Sequence, residues 1–183
     1  ARKVAADCQK YDLPCVVEPV AYPIGGEKED PSLYNKKKPE LGIQTARDIS
    51  ALPIDVLKAE FPADIKVIKD EAALLDLCHR LDEAAQLPWV VLSAGVDFES
   101  FRIQVRLACR AGASGFLAGR AIWQEATRIP ERTERLRFLS TTAADRMKEL
   151  IEIADKYAVP WHKKLGLPGH GLAHVAETWY RDY

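Results

Sequence analysis

Two short apolar runs of this chain each carry a charged side chain. Glu18 stands in Pro14-Cys15-Val16-Val17-Glu18-Pro19, and Lys58 in the run from Ile54 to Phe61. Strands of a parallel sheet covered by helices are expected to be apolar, so charges inside them are the informative departures. With side chains alternating at period two, Val16 and Glu18 share a face, as do Val56, Lys58 and Glu60. Adjacent strands could therefore present a carboxylate and an amine to one interior. A lysine held there is partly desolvated, which favours the neutral amine, and a neutral amine can attack a carbonyl, the requirement of Schiff-base chemistry. The structural alternative is a buried ion pair of Lys58 with Glu18 or Glu60.

Two further apolar runs end in small residues: Leu92-Ser93-Ala94-Gly95-Val96, and Gly115 to Ala118 followed by Gly119-Arg120-Ala121-Ile122-Trp123. Small residues let backbone amides approach an anion, and a helix opening at Arg120 would add its positive end, so both are candidate phosphate grips. The same glycines could instead serve only tight strand-to-helix turns. His170 and His174 are four apart but enclose Gly171, Leu172 and Ala173, with no carboxylate in the metalloprotease position, so they do not read as a zinc site. Lys36, Lys37 and Lys38 read as a solvated loop, and Trp161, Trp179 and Tyr180 as packing for the tail.

The elements that must position these residues alternate short apolar runs with segments of helical period, the signature of β-α units around a parallel sheet. The expected order opens with a helix over Ala1–Lys10, a strand over Pro14–Pro19, and a long polar loop from Ala21 to about Glu40, long enough to suggest a functional role. A helix over Leu41–Ala51 ends before Pro53, and a strand over Ile54–Phe61 is closed by Pro62. Next comes an amphipathic helix over Asp70–Ala85 with Leu74, Leu77, Cys78 and Leu81 on one stripe. A strand over Trp89–Ala94 leads to a helix over Phe98–Ala111 ended by Gly112. The fourth strand, Gly115–Ala118, feeds a helix from Ala121; a long helix over Thr141–Tyr157 and an aromatic tail complete the chain.

Four such units are half of an eight-stranded barrel, which takes about 250 residues, and alone they leave two sheet edges unpaired. Either the sheet is open and doubly wound, or it is the second half of a barrel. The 183 residues, 48% hydrophobic and 29% charged, suffice for one sizeable core, burying roughly 70% of the surface of the unfolded chain. Lys and Arg total 26 against 27 Asp and Glu, a net charge of −1. There is thus no basic excess of the kind nucleic acid attracts. Apolar runs fall far short of the roughly 20 residues of a membrane helix, and no secretory leader is recognisable. Cys8, Cys15, Cys78 and Cys109 show no CxxC spacing and read as reduced thiols of a cytoplasmic protein. The lone methionine is Met147 and the opening Ala-Arg-Lys-Val-Ala-Ala-Asp-Cys reads as mid-helix, so the chain is expected to be truncated or processed.

Taken together and in order, Val16-Val17-Glu18-Pro19-Val20-Ala21-Tyr22, Asp55-Val56-Leu57-Lys58-Ala59-Glu60-Phe61-Pro62, Leu92-Ser93-Ala94-Gly95-Val96 and Gly119-Arg120-Ala121-Ile122-Trp123 resemble the tagatose 1,6-bisphosphate aldolase family of class I aldolases. The resemblance is to the second half of that family. It implies an α/β fold, a (β/α)8 TIM barrel of which residues 1–159 supply strands five to eight, with residues 160–183 a tail packing on the barrel or a partner. By the same resemblance Lys58 is the Schiff-base lysine and Glu18 the acid/base carboxylate. Ser93, Gly95, Gly119 and Arg120 hold a substrate phosphate, with Glu60 and Tyr22 in support. The implied reaction splits a phosphorylated ketohexose into two trioses without metal or cofactor. The implied partners are the sugar phosphate and the missing N-terminal half-barrel, another copy of the chain, or both; neither nucleic acid nor membrane is expected. Two competing readings keep the pocket: a phosphosugar isomerase or epimerase using Glu18 as a plain base, and a noncatalytic sugar-phosphate sensor.

Overall fold

A computed structural model describes residues 1–169. His170, His174, Trp179 and Tyr180 lie outside the described residues, as does the rest of the tail from residue 170 on. Four strands, β1 (Val16–Val17), β2 (Val56–Ala59), β3 (Trp89–Leu92) and β4 (Phe116–Leu117), form one parallel sheet in the order β1-β2-β3-β4. Each strand lies beside its sequence neighbours, with no reversal of direction along the sheet. The expected strands are all present but shorter at their ends.

Parallel register sets the two faces. Val16 lies opposite Val56, Lys58 opposite Val90, and Leu92 opposite Leu117, so these side chains project to one side of the sheet. Leu57, Ala59, Trp89 and Val91 project to the other and are buried. Against that buried face pack α2 (Pro31–Ser50), α3 (Glu71–Ala85) and α4 (Phe98–Arg110), with α7 (Ala144–Tyr157) beyond α4. The stripe of Leu74, Leu77, Cys78 and Leu81 on α3 is buried as its spacing requires. Phe101 of α4 meets Phe116 of β4 edge to face, 6.2 Å between ring centres. Helix α1 (Arg2–Lys10) closes a smaller cluster of Ala5, Cys15 and Ile54.

The opposite sheet face is open. Val16 and Leu117 are 51% and 47% exposed, values unusual for aliphatic side chains in a parallel sheet and decisive for what this face can do.

One expected element is wrong. Residues 21–40 are not a continuous loop: a single 3-10 turn spans Gly25–Glu27, and α2 begins at Pro31 rather than Leu41. Asp30 caps this helix by accepting the Ser32 N–H at 2.9 Å, and Pro31 occupies the first turn, where no N–H is needed. Pro39 sits inside the helix at the loss of one backbone hydrogen bond. Lys36, Lys37 and Lys38 are therefore helical, and Lys37 pairs with Glu27.

The later helices also differ in detail. The long helix expected from Thr141 is a longer run: α6 (Arg132–Phe138), a π-helical turn over Leu139–Ala143, and α7. The helix opening at Arg120 is only α5 (Arg120–Trp123), continued by a 3-10 segment over Gln124–Arg128, so its dipole adds little. Arg146 of α7 pins this segment, donating to the Ile122 carbonyl at 3.2 Å and to Glu125 at 2.7 Å. The short α8 (Trp161–Lys164) begins the tail. Trp161 is nearly half exposed, and Lys164 ties the segment down by donating to Asp82, which also accepts the Trp89 indole N–H at 2.6 Å. Among the described residues no helix is long and apolar enough to cross a membrane.

Candidate active site

The β1–β2 register continues one step past Val17 and Leu57, and that step brings Glu18 opposite Lys58. Lys58 Nζ donates to Glu18 Oε2 at 2.6 Å. The side chains are 25% and 39% exposed, so the pair stands at an open surface and is not sealed in a core. The exposure departs from the expectation of a desolvated lysine.

Both residues line a cavity of about 670 Å³ at the carboxyl ends of the strands, together with Glu60, Ser93, Gly119 and Arg120. Six of the eight residues singled out in the sequence thus converge on one space. Ser93 is buried at the end of β3. Ala94 and Gly95 follow in the left-handed region, φ 48° and 78°, turning the chain into the Asp97 cap of α4. Asp97 accepts the Ser100 N–H at 2.9 Å, which holds its carboxyl below the usual carboxylate range.

Gly95 lines a neighbouring space of about 420 Å³, and Arg120 borders both. A Cβ on Gly95 would come within 3.2 Å of the Arg120 guanidinium. A side chain at position 95 would crowd the Arg120 guanidinium and strain a backbone at φ 78°. Among the described residues no carboxylate pairs with Arg120. Its charge is available to an anion.

Tyr22 is not part of this cavity. It is 69% exposed and lines a separate crevice of about 430 Å³ between α2 and the β1–β2 end of the sheet. Glu60 and Val20 border both spaces. Burial pushes the Glu60 carboxyl up, with the nearby Glu18 charge adding to the effect, while Lys38 and the Ala21 N–H pull it down. Burial likewise pushes the Tyr34 hydroxyl up, helped by the charges of Glu60 and Glu27. Tyr34 escaped the sequence reading, and Lys38 was read as a solvated loop residue, because residues 21–40 looked like a loop. The signal that could have found them is the helical spacing of Tyr34, Leu41, Gly42 and Thr45 behind an Asp-Pro start.

Among the described residues no group of three His, Cys, Asp or Glu side chains is arranged to hold a metal ion. Cys78 and Cys109 are buried, which pushes their thiols up to about 12, so neither is a nucleophile at neutral pH.

Comparison with known proteins gives a family and several relatives. The model of the DeoC/LacD family aldolase matches residues 1–125. A tagatose 1,6-diphosphate aldolase of Lactococcus lactis is 31% identical over 89% of this chain and 55% of its own length. One of Listeria monocytogenes serotype 4a is 29% identical over 90% and 53%, and tagatose 1,6-diphosphate aldolase 2 of Streptococcus agalactiae is 30% identical over 89% and 55%. The chain spans about half the length of the curated relatives it matches.

Proposed function

Because the chain belongs to the DeoC/LacD aldolase family, we propose that it carries the imine-forming part of an aldolase that cleaves a phosphorylated ketohexose such as tagatose 1,6-bisphosphate. The observation that carries this reading is the 2.6 Å contact of Lys58 with Glu18 at the wall of a cavity that Arg120 also borders.

Lys58 gives its proton to Glu18 and the free amine adds to the ketone carbon. Glu18 returns the proton as water leaves the carbinolamine, and a protonated imine results. Glu18 then takes the hydroxyl proton at carbon 4. The carbon 3–carbon 4 bond breaks and its electron pair moves into the iminium, giving an enamine and a free aldehyde. Protonation of the enamine at carbon 3 and hydrolysis release the second triose and restore Lys58. Acid-base assistance of this kind is worth roughly 10² to 10⁴-fold. Arg120, with Ser93, Gly95 and Gly119 around it, holds the phosphate and so fixes the ketone against Lys58. The chemistry drawn this way calls for no metal.

The same reading assigns the four strands to positions five to eight of a (β/α)8 barrel. Three features support it: the unreversed strand order, β1 and β4 each with one neighbour, and the open apolar sheet face. A companion half-barrel or a second copy would cover that face, and the sugar phosphate is the small-molecule partner. The chain's place is the cytoplasm.

Borohydride added with dihydroxyacetone phosphate to the intact protein should fix a triose phosphate on Lys58, located by peptide mass spectrometry. An unmodified Lys58 with undiminished turnover would remove the Schiff-base proposal.

A further inference from the structure

Glu60 is the one carboxylate among the described residues that borders both the Lys58 cavity and the crevice under α2. It follows Lys58 by two residues and leaves the chain on the same side. The Ala21 N–H, Lys38 and Glu18 are all within electrostatic reach of its carboxylate. The reaction as drawn gives it no part.

The order of the strands gives it one. Arg120 and Ser93 follow β4 and β3, Lys58 lies on β2 and Glu18 follows β1, and neighbouring strands are about 4.8 Å apart. A ketose phosphate gripped at Arg120 and bonded through carbon 2 to Lys58 runs from β4 toward β2. Its remaining carbons continue toward β1, where Glu60 and Val20 close the cavity. Among the described residues the cation lining the crevice, Lys37, is paired with Glu27, and Lys38 lies within electrostatic reach of Glu60 itself. A carboxylate there suits a hydroxyl, since it accepts hydrogen bonds and repels anions.

Resting on the Schiff-base reading, we infer that Glu60 is a specificity-determining residue whose carboxylate accepts a hydrogen bond from the substrate hydroxyl just beyond the cleaved bond, on carbon 5. The site thereby selects hydroxylated ketose phosphates over shorter or deoxygenated ones. Glu60 takes no proton and forms no bond in the reaction.

The test is Glu60→Gln in the intact protein, which keeps a carbonyl oxygen for the Ala21 N–H and removes the charge. Borohydride trapping of dihydroxyacetone phosphate, which ends at carbon 3, should still yield the Lys58 adduct, and a parent-like melting curve reports an intact fold. Cleavage of the ketohexose bisphosphate should lose about 10-fold or more in kcat/KM, the usual scale for a hydrogen bond to a charged group. A 5-deoxy substrate should cost the parent a similar factor and the variant much less, because the amide keeps at most a neutral hydrogen bond to that hydroxyl. Trapping intact in both proteins with equal cleavage, or a full deoxy penalty retained in Glu60→Gln, overturns the assignment of Glu60. Absence of any adduct in the parent overturns the Schiff-base reading itself and the inference with it.

Discussion

Glu18→Gln separates a catalytic carboxylate from a structural one. A deeply buried ion pair that loses one partner destabilises a protein by about 3–5 kcal/mol, because the remaining charge has no water to turn to. An exposed pair contributes about 0–1 kcal/mol. Here Lys58 and Glu18 are 25% and 39% exposed, and an amide oxygen at position 18 can still accept from Nζ, so the cost belongs at the lower end, about 1 kcal/mol or less. For a domain of this size that is a fall in Tm of about 2–4 °C at most. Loss of the proton shuttle should slow cleavage by about 10² to 10⁴-fold. Calorimetry and a coupled triose-phosphate assay on the same preparation read both numbers. A Tm drop above about 10 °C, the scale of a lost buried partner, or turnover within a factor of three of the parent, would refute the reasoning.

Arg120→Ala should raise KM for the phosphorylated ketose about 10-fold or more while leaving borohydride trapping at saturating dihydroxyacetone phosphate near the parent level; parent-like binding would contradict the phosphate assignment. Gly112→Ala should destabilise the fold. Gly112 has φ 118° and a new Cβ would fall 2.6 Å from Asp82, the acceptor of the buried Trp89 N–H. Backbone strain and the lost hydrogen bond together cost about 3 kcal/mol, read as a Tm lower by about 6–12 °C. Asp97→Ala should cost about 1 kcal/mol through loss of the α4 cap. Since the folded carboxyl of Asp97 titrates below its unfolded counterpart, its contribution is present in full above the unfolded value of about 3.9 and fades as pH falls through the folded one. The parent and Asp97→Ala denaturation curves should therefore converge in acid.

The strands, the α3 stripe and the Glu18–Lys58 pairing were legible because each rests on local periodicity. A charged residue in a run such as Val56-Leu57-Lys58 marks itself, and period two assigns its face without knowledge of the neighbours. The first half of α2 was hidden because Lys36, Lys37, Lys38 and Pro39 read as solvated and helix-breaking. A cap at Asp30 and packing against the sheet outweigh the one bond that Pro39 removes. Tyr22, which the resemblance alone put beside the site, lines the crevice on the α2 side of the sheet end and not the Lys58 cavity. The length of α5 was equally out of reach. Nothing in Arg120-Ala121-Ile122-Trp123 announces a 3-10 continuation, and the Arg146 contacts that fix the segment come from 24 residues away.

The matched ladders of β1 and β2 act as a ruler for the chemistry. The 40-residue interval from Glu18 to Lys58 could lengthen or shorten within its turns and α2 over evolutionary time without parting the two groups, because strand pairing alone sets their alignment. A one-residue deletion between Val56 and Lys58 is a different event. It would swing the amine through the sheet to the helix-packed side, so indels in this protein should be tolerated between the strands and lethal to turnover within them.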